Sequence, residues 1–103
     1  MKEKDTKTKG VVKVEKLFNQ TETEQDKEDA KIKAEAKRLG YEINLIARNA
    51  DNEVYVLAEN EREYVTWYWT GTGFVHGHYF FSLQGKIADD LAKAAKDLSD
   101  RVN

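Results

Sequence analysis

The sequence contains no cysteine and no proline. The absence of cysteine excludes disulfide bonds, thiolate nucleophiles and cysteine metal ligands within this chain. Because proline is absent too, only glycine and polar turn residues are available to interrupt helices and strands. No window approaches the roughly 20 consecutive apolar residues that a membrane span requires. The N-terminal stretch MKEKDTKTKG lacks the apolar core of a secretory signal, so we expect a cytoplasmic protein.

Positive charge is concentrated near the N-terminus. Residues 1–19 carry six lysines against three acids, whereas residues 20–103 carry eleven basic and sixteen acidic residues. The first ten residues show no apolar period, which predicts a disordered basic tail over residues 1–10 and a single domain over residues 11–103. Residues 11–18, VVKVEKLF, are compatible with a short additional strand or with a loop that packs on the domain.

Two segments have the apolar spacing of helices. In the first, Ile32 and Leu39 lie on one thin apolar face, acids crowd the first turn, and Gly40 is placed as a C-terminal cap. These signals predict a helix over about residues 23–39. The last segment, SLQGKIADDLAKAAKDLSDRVN, repeats apolar residues at helical spacing and predicts a second helix with Ser82 as its N-cap.

Between the two helices the apolar period changes to two, which is typical of β-strands. Four segments show this period, and short polar or glycine-containing turns separate them: YEINLIA (41–47), EVYVLAE (53–59), YVTWYWT (64–70) and FVHGHYFF (74–81). The sequence therefore predicts an α+β domain in which a helix, a four-stranded antiparallel meander and a C-terminal helix follow one another. Both helices are expected on one face of the sheet.

The turn TGTG sets the expected register of the last hairpin. A three-residue loop over residues 71–73 would pair Thr70 with Phe74 and would group both tryptophans with valines on one face. A two-residue loop would instead place His76 opposite Trp67. We favour the first register because it collects the largest apolar side chains on a single face.

The two sheet faces are named here the tryptophan face, which carries Trp67 and Trp69, and the reverse face. With Leu45 opposite Val56, the tryptophan face is expected to form the main core beneath the helices. The reverse face would then keep an uncovered aromatic patch, and such patches mark interaction sites. The residues expected to contact a partner there are Tyr55, Leu57, Tyr64, Tyr68, His76 and His78. A cover supplied by residues 11–18, by a second copy, or by one helix on each face is the alternative.

No catalytic pattern is present in the sequence. Ser82 and Ser99 are the only serines, and neither lies in a nucleophile motif. His76 and His78 share one strand face, but a zinc site normally requires three or four protein ligands. We therefore expect no enzyme, no cofactor and no metal site. An enzyme or metal site built on the histidine pair remains the competing hypothesis.

The segment RNADNEVYVLAENEREYV (48–65) is similar to a strand–turn–strand segment of small phage-encoded proteins, the acidic anti-CRISPR inhibitors of type II CRISPR nucleases. The shared elements are an Asn/Asp turn, a tyrosine–valine strand and a glutamate-rich reversal, while the aromatic hairpin over residues 64–81 departs from that pattern. The resemblance implies a non-enzymatic inhibitor that occupies a basic nucleic-acid-binding cleft. The acids that match are Asp51, Glu53, Glu59, Glu61 and Glu63.

Residues 41–81 contain only Arg48 and Arg62 as basic residues against six carboxylates, which favours a basic protein partner. We expect a phage or mobile-element accessory protein that inhibits or modulates a host factor. Three acids are expected to steer the partner: Glu59, Glu61 and Glu63. A homodimer formed through the same face is the structural alternative. Single-stranded nucleic acid is another, since aromatic sheets stack bases, although such sheets usually add lysine and arginine.

Overall fold

The structure is a computed structural model that describes residues 23–83 and 85–103. Its elements, in chain order, are α1 (Glu24–Arg38), β1 (Glu42–Arg48), β2 (Val54–Glu59), β3 (Tyr64–Trp69), β4 (Phe74–Phe80) and α2 (Ala88–Val102). The four strands form one antiparallel sheet in the order β1-β2-β3-β4. The α+β class and the meander predicted from the sequence are confirmed. The expected tail and the segment 11–18 lie outside the described residues.

Helix α1 begins at a capping box and is followed by a glycine. The Thr23 hydroxyl accepts a hydrogen bond from the Asp26 N–H at 3.0 Å, and the Asp26 carboxylate accepts one from the Thr23 N–H at 3.4 Å. These two bonds satisfy N–H groups that have no partner inside the helix. Gly40 follows with φ 93°, a left-handed conformation that favours glycine and lets the chain turn into β1.

Ile32 of α1 joins the core of the tryptophan face. Its side chain is fully buried and packs with Val54, Val56, Ala58, Val65, Trp67 and Trp69. Trp67 is enclosed largely by other rings, because Phe74 stacks on it with centroids 4.5 Å apart and Tyr41 meets it edge-on at 4.9 Å. Burial of each large apolar side chain is worth about 1.5–3 kcal/mol, so this face forms the larger core.

Helix α2 lies on the reverse face, and the expectation that both helices share one face is wrong. Ala94 and Leu98 of α2 are buried against Leu57, which points away from the tryptophans. Partly buried residues complete this second cluster: Ala47, Tyr55, Tyr64, Phe80 and Val102. The physical reason is that both faces of the sheet are apolar, and one helix on each face buries more of this surface than two helices on one.

A β-bulge in β4 changes the predicted register of the last hairpin. The pairs are Trp69–Phe74, Tyr68–Val75, Thr66–His78, Val65–Tyr79 and Tyr64–Phe80. Next to the turn, the strands pair in the register of the two-residue loop, and the register that we favoured is found only beyond the bulge. His76 lies in the bulge and has φ 54°. Because a bulge reverses the alternation of side chains, Phe74 lies on the tryptophan face and Val75 on the reverse face, opposite to the expectation.

A second irregularity affects β1 in the same way. Between Ile43 and Leu45 the register shifts by one residue, so Leu45 pairs with Leu57 rather than with Val56. Ile46 takes the place opposite Val56 and packs against the tryptophan-face core. Leu45 is consequently on the reverse face, where 52% of its surface is exposed.

Candidate partner-binding surface

The central part of the reverse face is covered by α2, so the aromatic patch expected there is open only at one end. Leu57 is buried in the α2 cluster, and Tyr64 packs at its margin. The Lys86 ammonium lies 4.9 Å from the centre of the Tyr64 ring and shields it further. These two residues, expected to contact a partner, therefore take part in the core of this subunit.

Three of the other expected contact residues stay together near the C-terminal end of α2. Tyr55, Tyr68 and His76 line a shallow pocket of about 360 Å³ with Glu53 and Arg101. The two tyrosine rings lie 5.3 Å apart, and the Arg101 guanidinium lies 5.4 Å from the centre of the Tyr55 ring. This end of the reverse face is open, so a contact role for these three residues remains a prediction.

His78, the last of the predicted contact residues, is tied to α2 through Asp97. Its Nδ1 lies 3.0 Å from the Asp97 carboxylate, which also accepts a 2.6 Å hydrogen bond from the buried Thr66 hydroxyl. Arg101 donates to the same hydroxyl oxygen at 3.0 Å. Burial raises the pKa of Asp97, but the bonds from Thr66 and His78 and the nearby Arg101 charge outweigh it and lower that pKa. These four side chains thus form a polar attachment between α2 and the sheet.

The three glutamates expected to steer a partner lie in or beside the β2–β3 turn. Glu59 forms a 2.6 Å salt bridge with Lys86 and accepts a hydrogen bond from the Asn44 amide. These two contacts lower the pKa of Glu59. Glu63 accepts a hydrogen bond from the Tyr41 hydroxyl. Burial and this bond raise the pKa of Tyr41 to about 12. Glu61 is exposed at the tip of the turn.

The remaining two acids of the resemblance lie at the opposite end of the sheet. Asp51 and Glu53 belong to the β1–β2 turn, where the Asn49 side chain accepts hydrogen bonds from the backbone N–H groups of both. Glu53 in turn accepts a 2.8 Å bond from the Asn49 amide. The five acids therefore do not form one rim, and only three of them share an end of the sheet.

Four exposed apolar side chains follow one another where the chain leaves β4 and enters α2. We name this group the corner patch: Tyr79, Phe81, Leu83 and Ile87. Phe81 is 62% exposed, and Leu83 lies fully exposed in a turn closed by backbone hydrogen bonds between Ser82 and Gly85. Ser82 does not cap α2 as expected; its hydroxyl donates to Asp90, and the helix begins later, at residue 88.

The corner patch and the glutamate turn occupy the same end of the sheet. Tyr64, the first residue after that turn, pairs with Phe80, the last residue of β4. The Lys86–Glu59 salt bridge joins the two segments directly. The sequence pattern does not predict the corner patch, because the residues directly after β4 are expected to begin a helix. The available signal is Phe81, an aromatic residue directly after the last strand pairing.

Tyr79 is held in place by its neighbours although 49% of its surface is exposed. Its hydroxyl accepts a hydrogen bond from the Trp67 indole N–H at 3.3 Å. The side chain reaches Trp67 by crossing Gly77: a Cβ atom at residue 77 would lie 2.6 Å from the Tyr79 hydroxyl oxygen and 2.8 Å from the Trp67 nitrogen. Glycine at this position is therefore required for the observed orientation of the ring.

Within residues 23–83 and 85–103, no group of three or more histidine, aspartate or glutamate side chains is arranged to hold a metal ion. No helix in the described part of the chain is long and apolar enough to cross a membrane. Comparisons with known protein families, with curated proteins and with solved structures found no match to this chain.

Proposed function

We propose that this protein is a non-enzymatic protein-binding domain that docks on a basic partner through the corner patch and the adjoining glutamate turn. One observation carries the proposal: the exposed apolar side chains after β4 and the glutamates of the β2–β3 turn lie at the same end of the sheet. Aromatic side chains at such a position supply apolar contact area at low entropy cost, and carboxylates beside them favour a positively charged partner.

Both components are accessible in the folded chain. Phe81 and Leu83 are exposed, and Glu61 at the tip of the turn is exposed as well. Exposed apolar groups that lie close together, with polar groups at their margin, are typical of interaction sites in soluble proteins. The proposed surface differs from the one predicted from the sequence, because α2 covers the centre of the reverse face.

The finer part of the proposal concerns the partner. We propose a phage or mobile-element accessory protein, acting in the cytoplasm, that inhibits or modulates a host factor. The resemblance of residues 48–65 makes a type II CRISPR nuclease the first partner to test. A DNA-cleavage assay with such a nuclease should show inhibition that rises with the concentration of this protein. Unchanged DNA cleavage at a saturating concentration of this protein would exclude the nuclease as the partner. The broader proposal of a protein-binding domain would still stand.

The docking surface itself is tested by affinity capture from a bacterial lysate with three baits. The double variant F81S/L83S should lose a partner that the wild type retains, because it removes apolar contact area from the corner patch. Both side chains are exposed, so their replacement should leave the core unchanged. The variant L45S is the matched control, since Leu45 is similarly exposed but lies on β1. A captured protein should carry a basic surface, and its capture should weaken as salt is raised.

A third bait, Y68S, separates the corner patch from the pocket formed by Tyr55, Tyr68 and His76. Loss of the partner in Y68S with retention in F81S/L83S would assign binding to the reverse face instead. Light scattering of the wild type distinguishes self-association: a dimer that F81S/L83S dissociates would show that the patch serves a second copy. Tight binding of a single-stranded oligonucleotide would contradict the proposal.

A further inference from the structure

We infer that the outer edge of β4 is a docking site for residues 11–18 of this same chain, which add to the sheet there as an antiparallel strand. In the described part of the chain β4 pairs with β3 alone and forms one edge of the sheet. The inference goes beyond the proposed function and does not depend on it, because the glutamate turn and Leu83 lie outside β4.

The edge formed by β4 is apolar and carries no charge. Its segment FVHGHYF contains no lysine, arginine, aspartate or glutamate, whereas β1, the other edge strand, has Glu42 and Arg48 at its ends. Natural sheets commonly protect an exposed edge with charged side chains. Val75 and Tyr79 lie on opposite faces of β4 and expose 39% and 49% of their surface. A neighbouring strand buries apolar surface on both faces at once.

Backbone groups point outward at two positions of this edge. Thr70 donates to the Gly73 carbonyl at 2.9 Å, so the even-numbered residues of β3 bond to β4. Phe74 and Tyr79 pair with odd-numbered residues of β3, and their N–H and C=O groups therefore point away from it. The bulge lies between these two positions, so an added strand bonds to β4 on both sides of the bulge.

Residues 11–18, VVKVEKLF, have the composition of a strand that is apolar on both faces. Val12, Val14 and Phe18 share one parity, Val11 and Leu17 share the other, and β-branched residues predominate. This pattern matches β4, whose exposed apolar side chains also lie on both faces. The segment is eight residues long and β4 is seven, so the two can pair over their whole length.

The start of α1 brings the segment within reach of β4. The first two turns of α1 line one pocket together with Gly71, which belongs to the β3–β4 turn. Residues 19–22 connect Phe18 to the N-cap Thr23 and span up to about 17 Å when extended. Neighbouring strands lie only about 4.8 Å apart, so Phe18 can reach the position beside Phe74, where β4 begins.

The handedness of the connection favours the edge at β4 over the edge at β1. Asn49 donates to the Glu53 carbonyl, so Ile46 directs its backbone groups away from β2 while its side chain packs on the tryptophan face. For L-residues this arrangement places β2, and beyond it β4, to the left of β1 when the tryptophan face is viewed with β1 running upward. The segment runs parallel to β1 because α1 returns the chain across that face. Such connections are right-handed in about 98% of cases, which requires the segment to lie beyond β4.

Amide hydrogen exchange of the full chain, followed by NMR, tests the inference at named positions. The outward N–H groups of Phe74 and Tyr79 should exchange about five- to ten-fold more slowly than that of Ile46, which points outward at the other edge. Nuclear Overhauser contacts should join residue 18 to the Phe74 end of β4 and residue 11 to its Phe80 end.

A pair of proline variants assigns the protection to the segment. V14P removes a backbone donor from the segment and should abolish the protection of Tyr79, while the amide of Val56 in the central strand β2 stays protected. T6P is the matched control, because residue 6 precedes the segment, and it should leave all these rates unchanged. If V14P fails to fold, the Overhauser contacts of the wild type decide.

Fast exchange of Phe74 and Tyr79 in the wild type, without Overhauser contacts to residues 11–18, would overturn the inference. Protection found at Ile46 instead would place the segment at the β1 edge and reject the handedness argument. Protection that survives in V14P and rises with protein concentration would show that a second copy covers β4.

Discussion

Backbone conformation at His76 shows how one residue determines the geometry of β4. With φ 54°, His76 lies in the left-handed region, which costs a non-glycine residue about 1–2 kcal/mol. This conformation accommodates the bulge that moves Phe74 under Trp67 and Trp69 and still returns Tyr79 to the same face. His78, two residues further on, belongs to regular pairing with Thr66 and contacts Asp97.

Replacement of His76 by glycine is expected to leave the free energy of unfolding unchanged or to raise it by up to about 1 kcal/mol. The relief of backbone strain offsets the larger conformational entropy of glycine in the unfolded chain. His78→Gly should lower the same quantity by about 1–2 kcal/mol, because it adds that entropy and removes the contact with Asp97. Urea unfolding of the two variants measures both effects. H76G less stable than H78G would contradict the strain argument.

Helix α2 depends on its polar attachment to the sheet as much as on apolar packing. Its buried apolar residues are only Ala94 and Leu98, whereas Asp97 and Arg101 both contact the hydroxyl of Thr66. A buried hydroxyl without a partner costs about 1–3 kcal/mol, so the bonds to Thr66 are needed once α2 covers this face. The attachment is therefore expected to be sensitive to the charge of Asp97.

The pKa of Asp97 is lower in the folded state than its ordinary value, so its carboxylate stabilises the fold at neutral pH. This contribution is present above the unfolded-state pKa of about 3.9 and is lost as the pH falls through the folded-state value. Asp97→Asn should therefore be less stable than the wild type at neutral pH, with a difference that shrinks in acid. Urea unfolding from about pH 7 to about pH 2.5 measures it. A difference that is constant across this range would reject the role of the charge.

The two cores of the whole molecule share one sheet but no side chains. Ile32 belongs to the tryptophan-face cluster and Leu98 to the reverse-face cluster, and the sheet backbone separates them. Energetic effects of distant sites without shared neighbours usually add. The free energy of unfolding is thus expected to respond independently to changes in the two cores.

Ile32→Val and Leu98→Val each remove one buried methylene and should each lower the free energy of unfolding by about 1 kcal/mol. The double variant should equal the sum of the two within about 0.3–0.5 kcal/mol. Equilibrium unfolding in urea of the four proteins in this cycle gives the coupling energy. A coupling well above this range would show that the clusters communicate through the sheet.

The spacing of apolar residues along the sequence correctly predicted the strands that lack bulges and the two helices. Alternation in β2 and β3 correctly placed Val56, Val65 and Trp67 on one face, and helical spacing located both helices. It failed at Leu45 and Phe74 because an inserted residue reverses the alternation, and a bulge depends on pairing across strands rather than on local sequence. The side taken by α2 was not predictable from apolar period, since both sheet faces are apolar.

The candidate site was predictable only in part. The glutamate turn was identified from its charge, and its position at one end of the meander follows from the strand order. The corner patch was not predicted, because the sequence does not show which aromatic residues a helix will cover. Phe81 and Leu83 became recognisable as a surface only when the end of β4 and the start of α2 were known.

Tyr79 and Trp67 approach the backbone of Gly77 closely, and this limits the substitutions that the protein can accept in evolution. A single methyl group there would push the phenol of residue 79 off the indole and swing it toward solvent. Positions 77 and 79 should therefore vary together: relatives that keep tyrosine at position 79 should keep glycine at position 77. A lineage that acquires a larger residue at position 77 is free to replace the tyrosine, because the ring no longer reaches the indole.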